Sequence, residues 1–267
     1  MDEINEVKKR YDNNVEDEWD RHQRHFIEFE INKRYIYKYV NKGDRILDIG
    51  GGPGRYSLDL AQNGCDVTLL DLSQGNIDFA AVKAVEAGLD IKTICGDARY
   101  ADTLVSGTFD AVLLMGPLYH LTKEDDRVKA VEAALKLLKP GGYIFAAFIS
   151  SYAAVWDYLT HKPEAILDPS EQKHFEILLK DESYSGMTFT YSHLIRPRGV
   201  NEFMDKFPVQ KLHLVGSQSI LATREEELMK QPKQVLDSWL DFAAKICERE
   251  EFLGMSYHFL YVGKKGL

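Results

Sequence analysis

Short apolar segments alternate with amphipathic segments through the first 150 residues of the chain. The apolar segments predict five strands, at residues 45–49, 66–70, 91–95, 109–115 and 143–149. The segments between most of them show the apolar spacing of helices, and Gly64 and Gly88 stand where two of these helices end. Continuous apolar strands separated by amphipathic helices are typical of a parallel sheet covered on both faces. We therefore predict an α/β cofactor-binding core over residues 43–150.

The pattern differs on either side of this core. Helical spacing from about residue 6 to residue 40 predicts a helical N-terminal lid, assigned to residues 1–42. Residues 151–200, here called the cap segment, are rich in aromatic side chains and predict helices and loops. Residues 201–267 contain two helical and two strand patterns that would complete the sheet. All 267 residues are therefore predicted to form one domain.

The composition restricts the partners and the compartment. The 267 residues carry a formal net charge of −9, which disfavours a nucleic-acid partner because binding to a phosphate backbone usually requires a basic face. The three cysteines are far apart and form no CxxC pair, which fits a reducing compartment. No apolar run is long enough to span a bilayer, and the polar N-terminus does not resemble a signal peptide. We expect a cytoplasmic protein with no membrane partner; the oligomeric state is left open.

A cluster of glycines follows the first predicted strand directly and precedes a helix. Gly50, Gly51, Gly52 and Gly54 would let a ligand approach bare backbone at the N-terminus of that helix. A dinucleotide fingerprint would need a sixth-position glycine where Arg55 stands. A P-loop would need a Lys-Ser or Lys-Thr pair, which this loop lacks.

The spacing Asp48-x-Gly50-x-Gly52-x-Gly54 resembles the first motif of class I S-adenosylmethionine-dependent methyltransferases of the small-molecule type. The resemblance continues in order to Ile149 and includes the Lys-Pro-Gly-Gly turn before the fifth strand. It implies a Rossmann-like sheet of seven strands, mostly parallel, whose last two strands form an antiparallel pair, with a helical lid and a cap inserted after strand 5. The implied cofactor is S-adenosylmethionine, with S-adenosylhomocysteine as product.

The same resemblance assigns roles to single residues. Asp71 ends the second strand, 21 residues beyond Gly50, and a carboxylate there would accept from both ribose hydroxyls. Asp97 would accept from the adenine amino group, and the backbone N–H of Ala98 would meet the ring. The remaining residues expected to bind the cofactor are Tyr11, Asp48, Gly51, Gly52, Gly54, Leu72, Met115 and Gly116. For any one of these positions, a tight turn or a helix cap is the alternative explanation.

Methyl transfer requires an aligned nucleophile and exclusion of water rather than a metal. Met115 and Gly116 occupy positions where the metal-dependent subclass has carboxylates, so no metal is expected. His120 is the candidate general base, because a neutral imidazole can take a proton from a hydroxyl, thiol or amine. Tyr119 is a second catalytic candidate. The alternative for His120 is a histidine that packs under the cap or caps the next helix.

Two aromatic residues of the lid and several polar residues of the cap complete the predicted site. Tyr11 and Trp19 could fold over the cofactor, although core packing explains Trp19 equally well. The cap could contact polar or anionic acceptor groups through His161, His174, His193, Arg196 or Arg198. The predicted function is methyl transfer to oxygen, nitrogen or sulfur of a small molecule. The alternatives are an RNA or protein methyltransferase, or a non-catalytic regulator that binds S-adenosylmethionine.

Overall fold

The computed structural model describes residues 3–266, except for the side chains of residues 22–24. Within these residues nine strands form one sheet. The strands are β1 Arg45–Ile49, β2 Asp66–Asp71, β3 Ile91–Cys95, β4 Phe109–Leu114, β5 Leu138–Ser150, β6 Tyr184–Met187, β7 Tyr191–Ile195, β8 Val209–Gly216 and β9 His258–Lys265. The helices are α1 Glu3–Asp12, α2 Val15–Arg24, α3 Phe26–Ile36, α4 Arg55–Gln62, α5 Gln74–Glu86, α6 Ala101–Leu104, α7 Glu124–Leu137, α8 Ala153–His161, α9 Gln172–Lys180, α10 Pro197–Met204, α11 Glu225–Met229, α12 Lys233–Ile246 and α13 Glu250–Leu253.

The order of the strands creates a crevice at one edge of the sheet. Strands β3, β2, β1, β4 and β5 are parallel neighbours in that order, and β9 and then β8 continue the sheet in antiparallel pairing. The register places Ile49 of β1 beside Leu70 of β2 and Leu114 of β4. The strand order therefore reverses between β1 and β4, and open α/β sheets bind ligands beyond the carboxyl ends of strands at such a point.

Both faces of the sheet are buried, as the continuous apolar strands predict. Leu47 and Ile49 of β1 pack into one hydrophobic cluster, and Ile46 of the same strand packs into another on the opposite face. The three side chains are fully buried. Alternate residues of one strand thus belong to two separate core layers, which is the packing expected of a parallel sheet covered by helices on both sides.

The predicted fold class is confirmed, and the sheet has two strands more than the seven expected. The antiparallel pair predicted at the C-terminus is β8 with β9. The additional strands are the hairpin β6–β7 in the cap segment, where helices and loops were predicted. Strand β7 pairs in parallel with the end of β5, through Ile149 with Leu194. Strand β6 is only the four residues Tyr-Ser-Gly-Met, too short for alternation to reveal it.

The N-terminal segment is three helices rather than the continuous helix predicted from residue 6 to residue 40. The backbone leaves the helical conformation at Asn14 and again at His25, with φ of −132° and −133°. Asparagine favours turns because its side chain competes for backbone hydrogen bonds. At the second break, the carboxylate of Glu225 accepts a hydrogen bond of 2.7 Å from the backbone N–H of Ile27, at the start of α3. A distant residue therefore caps α3, which local periodicity cannot reveal. Across residues 3–266, no helix is both long enough and apolar enough to cross a bilayer.

Candidate active site

The loop after β1 meets the loop after β4 through bare backbone. Gly50 has a φ of +75°, and a Cβ added there would lie 2.4 Å from Cδ of Pro117. A Cβ added to Gly116 would lie 2.8 Å from the carbonyl oxygen of Gly50. Side chains at these two positions would push the loops apart and fill the crevice between them. Glycine is therefore required at both positions for the two loops to approach each other.

Asp71 fixes the glycine loop against the end of β2. One carboxylate oxygen accepts a hydrogen bond of 2.9 Å from the backbone N–H of Gly52. The other oxygen accepts from the backbone N–H of Ser73 at 2.9 Å and from the side-chain amide of Asn76 at 3.2 Å. Burial raises the pKa of Asp71 even though these three donors oppose it. The carboxylate predicted to hold the ribose thus also holds the loop in place.

Asp97 and Ala98 lie at the start of a short helical turn after β3, on the wall of the crevice. One oxygen of Asp97 accepts from the backbone N–H of Arg99 at 2.9 Å, and the other forms an ion pair of 2.6 Å with the guanidinium of Arg99. The carboxylate therefore caps the turn and pairs with a cation. Its assignment to the adenine amino group stays a prediction.

The crevice is one continuous cavity, and most of the predicted site residues line it. These are Tyr11, Gly50, Gly51, Gly52, Asp71, Leu72, Asp97, Ala98, Met115, Gly116, Tyr119 and His120. Asp48 and Gly54 were also predicted to bind cofactor, but neither lines the cavity. Gly54 faces Ala80 of α5, whose Cβ would lie 3.0 Å from a Cβ added to the glycine. Trp19 packs against Phe79, with ring centroids 5.5 Å apart, and it too lies outside the cavity wall.

Asp48 lies beneath the glycine loop and is completely buried. One of its oxygens accepts a hydrogen bond of 2.7 Å from the hydroxyl of Ser57 in α4. The other oxygen is buried without a hydrogen-bond partner among the residues that the structure describes. Burial raises the pKa of Asp48 to about 7, against the hydrogen bond from Ser57. A Cβ on Gly51 would lie 2.4 Å from the carboxylate, so Asp48 supports the loop from below instead of contacting a ligand.

His120 stands at the end of the turn after β4 and is held from two sides. Its Nδ1 lies 3.1 Å from the carbonyl oxygen of Tyr191 in β7, and its Nε2 lies 2.6 Å from the hydroxyl of Tyr11 in α1. Because a carbonyl only accepts, Nδ1 carries the proton and Nε2 accepts from Tyr11. Burial, with smaller effects from Arg21 and Arg10, lowers the pKa of His120 to about 4. The imidazole is therefore neutral near pH 7, with its lone pair on Nε2.

Comparison with known proteins identifies the core. The family described as a methyltransferase domain matches residues 46–142, which include the glycine loop, Asp71 and His120. The predicted resemblance to class I S-adenosylmethionine-dependent methyltransferases is confirmed by this match and by the fold.

Two curated relatives and one solved structure resemble the chain. The ubiquinone biosynthesis O-methyltransferase of Pectobacterium atrosepticum is 28% identical over 174 residues, 65% of each chain. The enzyme of the same name from Caulobacter vibrioides is 38% identical over 109 residues, 41% of this chain and 42% of its own. The magnesium protoporphyrin IX methyltransferase of Synechocystis PCC 6803, solved with bound S-adenosylhomocysteine, has a TM-score of 0.61 at 13% identity and covers 99% of this chain and 100% of its own. The chain matches less than two thirds of the length of both curated relatives.

Two cationic side chains beside the glycine loop, Arg21 and Arg55, were not among the predicted site residues. The Arg21 guanidinium is partly buried and lies between the carboxylates of Glu18 and Glu28, at 3.8 and 3.7 Å. The carboxylate of Glu28 makes the largest contribution to raising the pKa of Arg21, against the effect of burial. The guanidinium of Arg55 lies over the ring of Phe29, and its Nη2 is buried with no hydrogen-bond partner in the described part of the chain. Both arginines line the cavity.

An orphaned guanidinium nitrogen is the kind of atom that a carboxylate ligand would satisfy. Together with the bare loop and the buried carboxylate of Asp71, it fits a cofactor that carries a ribose and an amino-acid carboxylate. Arg55 follows the glycine loop directly, so its place in the sequence could have indicated that it lies at the site. No local pattern indicates Arg21, because α2 lies more than 20 residues before the loop and reaches it only through the tertiary fold.

The polar residues predicted in the cap segment do not converge on one point. His161 and His174 line a second cavity, between the cap segment and α11. His193 is paired with the hydroxyl of Ser185 at 2.8 Å, and Arg196 forms an ion pair of 2.8 Å with Asp181. Arg198 is exposed in α10. No group of three or more histidine, cysteine, aspartate or glutamate side chains in the described residues could hold a metal ion, and the expected absence of a metal stays a prediction.

Proposed function

We propose that this protein transfers the methyl group of S-adenosylmethionine to an oxygen atom of a small-molecule acceptor and releases S-adenosylhomocysteine. The methyltransferase domain and the class I fold support the cofactor. The names of the curated relatives, ubiquinone biosynthesis O-methyltransferases, support an oxygen nucleophile on a small molecule. We extend both to this chain because its cavity contains the loop, the acidic residue and the histidine that such a reaction requires.

The bound cofactor would supply an activated methyl group on a positively charged sulfur. Asp71 would accept hydrogen bonds from the ribose hydroxyls, and the backbone at Gly50 would allow the cofactor to approach closely. Arg21 and Arg55 would bind its carboxylate, and Asp97 would face the adenine. Helices α1 to α3 cover this cavity and would exclude water from the reacting atoms.

The observation that carries the proposal is the fixed tautomer of His120. Its Nδ1–H is bonded to the carbonyl of Tyr191, so Nε2 is an acceptor directed at the hydroxyl of Tyr11, 2.6 Å away. A hydroxyl group already occupies the place from which a base would take a proton. We propose that the acceptor hydroxyl replaces that of Tyr11 and gives its proton to Nε2. The neutral side chain of Tyr119, whose pKa burial raises to about 12, packs edge-to-face against the imidazole, with ring centroids 4.8 Å apart.

The replacement His120→Asn tests this assignment. With S-adenosylmethionine and a panel of small phenols and alcohols, we expect turnover to fall by about 10²- to 10⁴-fold, the usual contribution of a general base. The dissociation constant of S-adenosylhomocysteine, measured by calorimetry, should stay nearly unchanged. His193→Asn is the matched control, because His193 is also buried and neutral but lines neither cavity.

The pH dependence gives a second test. Because the pKa of His120 is lowered to about 4, kcat/KM should fall only as the imidazole becomes protonated near that pH. Between pH 6 and pH 8 no histidine titration should be visible. Equal turnover in the Asn variant, a titration near the ordinary histidine pKa, or no binding of S-adenosylhomocysteine would each contradict the proposal. The absence of a nucleic-acid partner and the cytoplasmic location stay predictions.

A further inference from the structure

A second cavity lies between the cap segment and the C-terminal residues, next to the cofactor cavity. Its inner wall is apolar and includes Ile149 at the end of β5, Leu194 of β7 and Phe189 of the β6–β7 turn. The ring of Phe189 lies 5.9 Å from the ring of His120. His25 lines both cavities. A molecule in the second cavity would therefore approach the proposed base past Phe189.

A buried, unsatisfied acceptor stands on the wall of this second cavity. The Nδ1 of His174 lies 3.2 Å from a carboxylate oxygen of Glu171, and the hydroxyl of Tyr158 donates to the same oxygen at 2.6 Å. Because Glu171 accepts, the proton of the neutral imidazole resides on Nδ1. Its Nε2 is then a lone pair, buried and without a hydrogen-bond partner among residues 3–266. His174 is 5% exposed, so unsatisfied polarity is costly here and a ligand donor would relieve it.

The charges on the wall also favour a donor. Five acidic side chains line this cavity, against two lysines, Lys173 and Lys230; burial raises the pKa of one of them, Glu225, to about 7, so the other four supply most of the negative charge. The carboxylates are those of Asp157, Glu171, Glu225, Glu226 and Glu227. The ammonium of Lys173 donates to the carbonyl oxygen of Met187, at 3.4 Å. A cavity lined by excess negative charge concentrates cations and repels anions.

We propose that the second cavity binds the methyl acceptor as an amphipathic cation, with an apolar or aromatic body along Phe189 and a protonated amine held at His174 and the surrounding carboxylates. Identification of the ligand as the acceptor rests on the proposed function; the preference for an ammonium group rests on this cavity alone. The protonated amine has no lone pair to attack a methyl group, so the nucleophile is a hydroxyl at the Phe189 end.

Three phenyl compounds of similar size test the charge preference: 2-phenylethylammonium, 2-phenylethanol and phenylacetate. Binding is measured by calorimetry on the full chain saturated with S-adenosylhomocysteine. We expect the ammonium to bind about tenfold more tightly than the alcohol and phenylacetate to bind most weakly, with the difference shrinking as salt is added. Equal affinity of the ammonium and the alcohol, or no binding of either, overturns the proposal.

Two variants localise the effect. The double change Asp157→Asn and Glu226→Gln should reduce the ammonium preference to about threefold. Glu182→Gln removes one carboxylate that is exposed and does not line the cavity, and it should leave the preference unchanged. An equal loss in the control would show a general charge effect and overturn the assignment.

The ¹⁵N resonance of His174 Nε2 provides a direct readout that does not depend on a variant folding. Addition of 2-phenylethylammonium should move this resonance from that of a free acceptor toward that of a hydrogen-bonded one. In a separate binding experiment, His174→Phe should abolish the ammonium preference. An unmoved resonance under saturating probe would refute the contact. Binding of S-adenosylhomocysteine is measured separately, so failure of the proposed function and failure of this inference give different results.

Discussion

Replacement of Asp48 by asparagine should make the protein more stable at neutral pH, although the residue belongs to the glycine motif. Asp48 is fully buried beneath the loop, and one of its oxygens has no partner in the described structure. Burial raises its pKa from the ordinary 3.8 to about 7. The folded protein therefore binds a proton at Asp48 more tightly than the unfolded chain does. The free energy of unfolding therefore falls as the pH rises from the unfolded-state pKa of Asp48 to its folded-state pKa.

The magnitude follows from the difference between the two pKa values. A pKa raised by this amount lowers the free energy of unfolding by about 4 kcal/mol at pH values above 7, relative to strongly acidic pH. Between pH 5 and pH 8 the loss is about 2.5 kcal/mol, because part of it has already occurred by pH 5. Asparagine keeps an oxygen that can accept from Ser57 but carries no charge, so the Asp48→Asn protein should not show this loss.

Urea denaturation of both proteins at several pH values measures the effect. The unfolding free energy of the wild type should fall by about 2.5 kcal/mol more than that of Asp48→Asn between pH 5 and pH 8. Glu225, whose pKa is also raised to about 7, titrates in both proteins and cancels in the comparison. Asp66→Asn, at the exposed start of β2, serves as the control. Parallel stability curves for the wild type and Asp48→Asn would refute the reasoning.

Two further replacements test the cofactor site and the helical segment that covers it. Asp71→Ala should weaken binding of S-adenosylhomocysteine by about 1–3 kcal/mol in calorimetry, because the binding site loses a charged acceptor and the backbone N–H of Gly52 loses its partner. Asp66→Ala, on the same strand, is the control. Unchanged affinity of the Asp71 variant would contradict the ribose assignment. At pH 5, where the carboxyl group of Glu225 is neutral, Glu225→Ala should lower the unfolding free energy by about 1–2 kcal/mol, because the N–H at the start of α3 loses its partner. The neighbouring Glu226→Ala, which is exposed, should change it by less than about 0.5 kcal/mol, and equal effects would argue against the cap.

The N-terminal helices give the cavity a cover that the C-terminal residues hold in place. Tyr11 of α1 contacts His120, and Arg21 of α2 donates to His258 at the start of β9, at 3.3 Å. Glu225 of α11 caps α3. Each of the three helices is thus tied to a residue more than 100 positions away. Movement of these helices would therefore change the contact of Tyr11 with His120 and the position of Arg21 in the cavity at the same time.

The sequence by itself determined the sheet core and its glycine loop. Strands β1, β2 and β4 follow from largely apolar runs, because a strand buried on both faces must be apolar at most of its positions, whereas the edge strand β3 is only partly buried. Asp71 and His120 could be located because each stands at a fixed place relative to a strand end. These features are local, so the order of residues along the chain is sufficient to reveal them.

Only the tertiary structure decided which of these residues line the cavity. Asp48 and Gly54 belong to the same motif as Gly50, yet they lie behind the cavity wall because the turn directs them toward α4 and α5. Arg21 reaches the loop only because the N-terminal helices fold back over the sheet. The β6–β7 hairpin, which fixes the tautomer of His120 through Tyr191, depends on pairing with the end of β5. Contacts of this kind join segments distant in sequence, and no local periodicity encodes them.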